Sequence, residues 1–159
     1  MNASYKAEIV LPSLLWRIDE AEQIRHGRGV SMSVYRAEVL RNLKWLLNTS
    51  AHPANDPIWQ LPGASSSVLN FGIPPYSGRV GSSVNADELA DAIHEAILRF
   101  EPRIIPDSLE VLRTDNVYGD QGNSVSFRIS GSIWSQPVPE RFSMETMVDT
   151  ASGAWSFDA

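Results

Sequence analysis

Two stretches of the chain carry apolar residues at the three- and four-residue spacing of an amphipathic helix. In the first, which the pattern places from Ser33 to Asn48, the apolar positions are Val39, Leu40, Leu43, Leu46 and Leu47. In the second, from Asn85 to Phe100, they are Leu89, Ile93, Ala96, Ile97 and Phe100. Asn85 and Glu88 have the spacing of a capping box. The pattern therefore predicts two helices that each bury one side.

The last third of the chain changes to the two-residue alternation of half-buried strands. The clearest strand is predicted over residues 124–133, with four serines and Arg128 on one face and Val125, Phe127, Ile129 and Ile133 on the other. Gly131 lies on the apolar face and indicates either a bulge or close packing against a helix.

Three further strands complete the predicted sheet. One covers residues 109–114, one carries Phe142, Met144, Thr146 and Val148 on a single face, and a last short strand carries Trp155 and Phe157. Short connections favour antiparallel neighbours. We therefore predict an α+β fold, in which N-terminal and central helices pack on one face of a small C-terminal, mainly antiparallel sheet.

The tripeptide Glu101-Pro102-Arg103 separates the helical part from the strands. Proline lacks a backbone N–H and disfavours the helical conformation of the residue before it, so the second helix should end near Phe100. We expect this stiffened bend to present the charges of Glu101 and Arg103 outward.

The segments between these elements are rich in turn formers. Residues 48–57 predict a loop that Trp59 and Leu61 anchor to the body of the protein. Residues 65–74 predict a short serine-capped helix that ends at a left-handed Gly72. Residues 75–84 and 116–123 predict further loops.

The first 30 residues have the least regular pattern. Residues 1–12 predict an edge strand or an extended arm, Ser13 then caps a short helix, and residues 23–29 form an exposed loop. We divide the chain into this N-terminal arm, short helix and loop (residues 1–30) and a single α+β domain (residues 31–159). No signal-peptide cleavage site and no apolar run of membrane-spanning length is found, so we expect neither export nor direct membrane insertion.

Composition narrows the class of protein. With 159 residues, of which 43% are hydrophobic and 20% charged, the chain can bury the core of one domain. The net charge of −6 and the lack of a basic run argue against nucleic acid as a partner. The chain has no cysteine, which excludes disulfides, a thiolate nucleophile and cysteine-ligated metals.

No catalytic, cofactor-binding or metal-binding residue is predicted. The sequence has no Gly-x-Ser-x-Gly turn and no glycine-rich nucleotide-binding loop. The three histidines, His26, His52 and His94, are far apart and lack a metal-binding context. A pair of glycosidase carboxylates is not excluded by counting, because any acidic chain offers candidates.

Three motifs resemble a known family: residues 35–49 (YRAEVLRNLKWLLNT), residues 67–74 (SVLNFGIP) and residues 100–103 (FEPR). In this order they are similar to TssE, the baseplate subunit of type VI secretion systems. That family is in turn similar to the wedge protein of contractile phage tails, which carries a lysozyme-like label. The likeness extends from about Leu14 to Phe157.

The resemblance implies a cytoplasmic structural protein in a baseplate docked at the inner face of the cell envelope. Its expected partners are other baseplate wedge subunits and the first ring of the contractile sheath, whose assembly it would template. Its fold would resemble the domain through which tail sheath subunits interlock. Glu101, Pro102 and Arg103 would be protein-interface residues.

Two other classes of protein are alternatives to a structural baseplate subunit. One is a peptidoglycan-cleaving, lysozyme-like hydrolase, which the family label suggests but for which we find no matching catalytic pair. Another is a free-standing peptide-binding adaptor. A third possibility concerns the tripeptide alone, since Glu101 and Arg103 would form only a local ion pair of about 0 to 1 kcal/mol if they were exposed.

Overall fold

The computed structural model describes residue 13 and residues 30–75, 86–114 and 124–158. The helices are α1 (Met32–Leu47), α2 (Pro62–Ser65) and α3 (Ala86–Phe100), with 3-10 turns at Pro57–Gln60, Val68–Asn70 and Pro106–Ser108. The strands are β1 (Glu110–Thr114), β2 (Ser124–Ile133), β3 (Glu140–Asp149) and β4 (Trp155–Asp158). This order confirms the predicted α+β class.

Helix α1 begins one residue before the predicted Ser33. Ser31 takes the extended N-cap conformation, but its side chain makes no capping hydrogen bond, and its hydroxyl lies 3.0 Å from that of Ser33. The helix ends at Leu47 and is capped by Asn48, whose backbone and side-chain N–H groups both donate to the Lys44 carbonyl. The predicted apolar side is buried, apart from a half-buried Leu40.

Helix α3 buries Leu89, Ile93, Ala96 and Ile97, as its periodicity predicts. Phe100 is half-buried at its end, where its ring meets that of Phe71 edge-on at a centroid distance of 5.1 Å. The predicted cap, Asn85, lies outside the described residues. No helix among the described residues is both long and apolar enough to cross a membrane.

The four strands form one antiparallel sheet in the order β1-β2-β3-β4. Helices α1 and α3 share a single core with one face of this sheet. The sheet contributes Phe127, Ile129, Ile133, Phe142, Met144 and Val148 to that core. Thr146 is also buried there, and its hydroxyl is satisfied by donating to the Ser156 carbonyl at 2.9 Å.

Gly131 marks close packing and not a bulge. Strands β2 and β3 pair without interruption, from Ser124 opposite Asp149 to Ile133 opposite Glu140. A Cβ atom at Gly131 would lie 3.1 Å from the Phe142 ring and 3.3 Å from the Ser108 carbonyl oxygen. The close neighbours are therefore an aromatic ring and a 3-10 turn.

The segment of residues 57–70, called the apolar loop below, differs from its prediction. Trp59 and Leu61 do not anchor the loop at residues 48–57 to the body of the protein, because both side chains are exposed and the Trp59 indole N–H donates to the Pro53 carbonyl of that same loop. The single predicted serine-capped helix is instead α2 followed by the 3-10 turn at Val68–Asn70, which Ser67 caps by accepting from Leu69 N–H. Gly72 ends this region with a φ of +124°.

Several predicted features lie outside the described residues. They are the N-terminal strand or arm, the helix after Ser13, the loop at 23–29, most of the loop at 75–84 and the turn at 116–123. The division of the chain at residue 30 stays a prediction.

Candidate interface site

The tripeptide connects the end of α3 to the end of the sheet. Glu101 N–H donates to the Ile97 carbonyl, which completes the last turn of α3. Two residues on, the Arg103 carbonyl accepts from Trp134 N–H at 2.7 Å, and Ile105 N–H donates to the Ser132 carbonyl at 2.9 Å. The bend is thus held at both ends by backbone hydrogen bonds.

Glu101 and Arg103 bind each other. Arg103 donates from Nε and Nη2 to the two carboxylate oxygens of Glu101, both at 2.6 Å, in the bidentate geometry that suits guanidinium and carboxylate. Glu101 is only 3% exposed, and the Arg103 side chain is 17% exposed. The prediction that both charges point outward is wrong, since the turn at Pro102 brings the two side chains together.

Helix α1 closes this pair from the other side. Arg103 Nη1 lies 3.2 Å from Glu38 Oε1, an ion-pair distance, although its N–H groups find no well-aligned acceptor among the described residues. The Tyr35 ring lies under the guanidinium, with 5.5 Å between the Arg103 Cζ and the ring centroid. We call Glu38, Glu101 and Arg103 the charged cluster.

Glu38 and Tyr35 were not identified as site residues from the sequence. Glu38 is 3% exposed and lies on the buried side of α1, three residues after Tyr35 and one before Val39. A carboxylate at an apolar-side position of a helix requires a partner, because an unpaired buried charge is strongly unfavourable. The place of Glu38 on the apolar side of the helix pattern was therefore the sequence feature that could have identified it as a site residue.

The electrostatics of the cluster keep Arg103 charged. Burial acts to lower the pKa of Arg103, but the hydrogen bonds and charge of Glu101, and then the charge of Glu38, raise it above its ordinary value. Burial raises the pKa of Tyr35; Arg103 opposes this shift, while Glu101 and Glu38 add to it. Both shifts favour the arrangement seen here, a neutral phenol beside a guanidinium.

One contact links the cluster to the N-terminal part of the chain. Ser13 N–H donates to the Glu38 carboxylate, 3.2 Å from Oε1 and 3.3 Å from Oε2. The cluster therefore joins α1, the end of α3, the end of β2 and the chain at Ser13.

The arrangement is suited to holding elements together. The two carboxylates are buried and face the guanidinium, so neither is open to a substrate in a cleft. Among the described residues, no group of three or more His, Asp or Glu side chains is placed to hold a metal ion. His52 pairs with Asp56 at 3.1 Å, and His94 is half-buried on α3.

What a partner can reach at this site is limited. Pro102 is exposed, and so is part of the Arg103 side chain. Trp134, whose backbone is bonded to Arg103, is also exposed. The accessible surface at the tripeptide is thus mainly apolar, above a buried set of charges.

Comparison with known proteins adds one finding. The family described as baseplate wedge protein gp25 matches residues 33–138 of the chain. This range includes Glu38, the tripeptide and the apolar loop. No curated protein and no solved structure matches the chain.

Proposed function

Because the chain belongs to the baseplate wedge protein gp25 family, as its motifs predicted, we propose that it is a structural component of a type VI secretion baseplate. Family membership supports the coarser role, a structural part of a phage tail-like baseplate that contacts other baseplate subunits. The finer role proposed here is to join wedge subunits and to template assembly of the contractile sheath, in a cytoplasmic baseplate docked at the inner face of the cell envelope.

We propose that Glu101, Pro102 and Arg103 form part of the contact with neighbouring wedge subunits. Since Arg103 is already bound to Glu101 on two atoms, the charges act mainly by holding the bend in place. Pro102 and the accessible edge of Arg103 then provide the surface that a neighbour touches. A rigid surface loses little conformational entropy on binding, which favours affinity.

The sheath contact is proposed for an edge of the sheet. Among the described residues, no further strand pairs with the outer side of β1 or of β4. Unpaired N–H and C=O groups of an edge strand can bind an added strand from another protein. A strand of the first sheath ring is the proposed partner.

No observation favours the lysozyme-like alternative. Its general acid would need a carboxyl group open to substrate. The buried carboxylates of the charged cluster are not open in this way, since Arg103 contacts both.

The interface role is tested with Pro102→Arg, which adds bulk to an exposed position and leaves the charged cluster in place. The protein is co-expressed with the other baseplate subunits, and association is measured by pull-down and native mass spectrometry. We expect association to weaken about tenfold or more, as for a central interface residue.

Ala151→Arg is the matched control, because Ala151 is exposed in the turn between β3 and β4. Both variants should unfold at the wild-type temperature. If Pro102→Arg assembles as well as Ala151→Arg, the tripeptide is not an interface.

The sheath role of β1 is tested with Val111→Pro and Leu112→Pro. Neighbouring residues of a strand direct their N–H groups to opposite sides, so one proline removes a bond to β2 and the other only an outward N–H. The variant that stays folded should fail to start fluorescent sheaths in cells. Normal sheaths in that variant would exclude the β1 edge as the sheath contact, and the β4 edge would be the remaining candidate.

A further inference from the structure

The apolar loop and α3 enclose a groove on the surface. It has a volume of about 80 Å³ and is lined by Ala92 and Ala96 of α3, facing Trp59 and Asn70 of the loop, with Glu95 and Arg99 also on its wall. The small alanine side chains leave room for a side chain from outside. None of the three residues of the charged cluster lines this groove.

The loop beside this groove exposes large apolar side chains. Val68 is 79% exposed and Leu69 is 69% exposed, and Leu61 and Trp59 are exposed as well. Single exposed apolar residues are ordinary, but several in one short segment mark an interaction surface. Tryptophan is among the residues that most often dominate the binding energy of such surfaces.

Buried polar contacts hold the loop rigid. Asn70 is 1% exposed, accepts from His52 N–H at 2.9 Å and donates to the Ser65 carbonyl at 3.0 Å. Asp56 accepts from Ile58 N–H at 2.9 Å, which fixes the turn that carries Trp59. The exposed apolar side chains are therefore presented on a preorganised backbone, and little entropy is lost when a partner binds.

Charge indicates which kind of partner fits. Glu95 and Arg99 are exposed and one helical turn apart, and among the described residues neither lies within ion-pair distance of an opposite charge. A helix lying antiparallel to α3 would complement them with a basic residue opposite Glu95 and an acidic residue opposite Arg99. An apolar residue between those two would enter the groove.

The geometry points to a docking site for an amphipathic helix of another baseplate subunit, formed by the apolar loop and by Ala92, Glu95, Ala96 and Arg99. This inference rests on the proposed baseplate function and adds a second contact surface, separate from the tripeptide and from the sheet edge. The partner helix carries an apolar residue flanked by one basic and one acidic side chain.

Site-specific cross-linking tests the docking site. The chain has no native cysteine, so a thiol-reactive label attaches only at the introduced cysteine. The full chain carrying Leu69→Cys is labelled with a photoactivatable maleimide and assembled with the co-expressed baseplate subunits. Leu112→Cys, exposed on β1, is the control. We expect Leu69 to cross-link to residues spaced three or four apart in one helix of another subunit, and Leu112 not to reach that helix.

A charge exchange tests the partner's chemistry. Glu95→Lys should weaken association with the cross-linked subunit about tenfold, which corresponds to about 1.4 kcal/mol. Replacement of the basic residue near the cross-linked position of the partner by an acidic one should restore most of the lost affinity for the Glu95→Lys chain. Glu110→Lys makes the same charge change at an exposed position on β1, outside the groove lining, and should have little effect.

The outcomes separate this inference from the proposed function. If the wild-type chain assembles but Leu69 cross-links to a second copy, to its own chain or to nothing, the docking site is wrong and the baseplate role stands. Equal effects of Glu95→Lys and Glu110→Lys would also overturn it. If the wild-type chain does not associate with baseplate subunits at all, the proposed function fails and this inference fails with it.

Discussion

The charged cluster and the apolar loop depart from the usual distribution of residues in opposite directions. In the cluster, two carboxylates and a guanidinium are largely buried. In the loop, Trp59, Leu61, Val68 and Leu69 are exposed, while the polar Asn70 is buried. Buried charges hold structure together only when paired, whereas exposed apolar side chains add almost nothing to stability. The first region therefore stabilises the fold, and the second is the surface at which we propose a contact.

Replacement of Arg103 should lower the free energy of unfolding more than any other change predicted below. Arg103→Ala leaves Glu38 and Glu101 buried without a counter-charge, so we expect a loss of about 3–5 kcal/mol in the free energy of unfolding. Arg103→Lys keeps the charge but loses the two parallel bonds to Glu101, and a smaller loss is expected. Urea unfolding measures both variants.

Arg113→Ala is the control, because Arg113 is exposed on β1 and lies in no ion pair among the described residues. It should change the free energy of unfolding by less than about 0.5 kcal/mol. An Arg103→Ala variant as stable as Arg113→Ala would mean that the charged cluster does not stabilise the fold.

The stability of the apolar loop should depend on the backbone at Gly72, just after the loop. Gly72 has a φ of +124°, and a Cβ there would lie 2.3 Å from the Thr49 carbonyl oxygen. Gly72→Ala is therefore expected to lose more than about 1 kcal/mol in the free energy of unfolding. Thermal and urea unfolding check this value.

Gly63 provides the comparison within the same loop. A Cβ at Gly63 would meet no atom within 4 Å, and the residue lies in α2. Gly63→Ala should leave stability unchanged or raise it by about 0.4–1 kcal/mol. Equal losses in the two variants would show that Gly72 has no special role in holding the loop.

The smallest expected effect concerns Tyr35 at high pH. Its pKa is raised above the ordinary 10.0, chiefly by burial. The folded protein then keeps a proton that the unfolded chain releases, so this contribution to stability is complete below pH 10 and is lost as the pH rises through the folded pKa.

Tyr35→Phe removes that ionisation. Between about pH 9 and pH 11, wild-type protein should lose more of its free energy of unfolding than Tyr35→Phe does. Urea unfolding at both pH values measures the difference. Parallel losses in the two proteins would show that Tyr35 does not contribute to the alkaline change.

Much of the fold was predictable because it depends on local periodicity. The stripe from Val39 to Leu47 and the alternation from Val125 to Ile133 placed α1 and β2 to within about a residue. The tripeptide was also identified, since Pro102 is a strong helix stop. The buried pairing of Glu101 and Arg103 was not, because it depends on the geometry of the turn at Pro102 and on Glu38, which packs against the pair from more than sixty positions earlier in the chain.

The apolar loop shows the limit of the same approach. Trp59 and Leu61 were expected to anchor the loop at residues 48–57 to the body of the protein, yet both are exposed. Burial depends on whether the rest of the protein offers space, and Phe71 and Phe100 already pack against each other next to the groove. Composition carries no information about that space.

The sequence by itself determined the two long helices and the four strands, the bend at Pro102 and the family, since each depends on residues close together in the chain. Only the tertiary structure decided which charges meet and which apolar side chains stay exposed. Arg103 pairs with Glu101 across the turn at Pro102, and it meets a second carboxylate only because α1 places Glu38 Oε1 within 3.2 Å of the guanidinium. Contacts of this kind arise from packing between distant segments, and so the tripeptide proves to be a buried, charge-paired bend with an exposed proline.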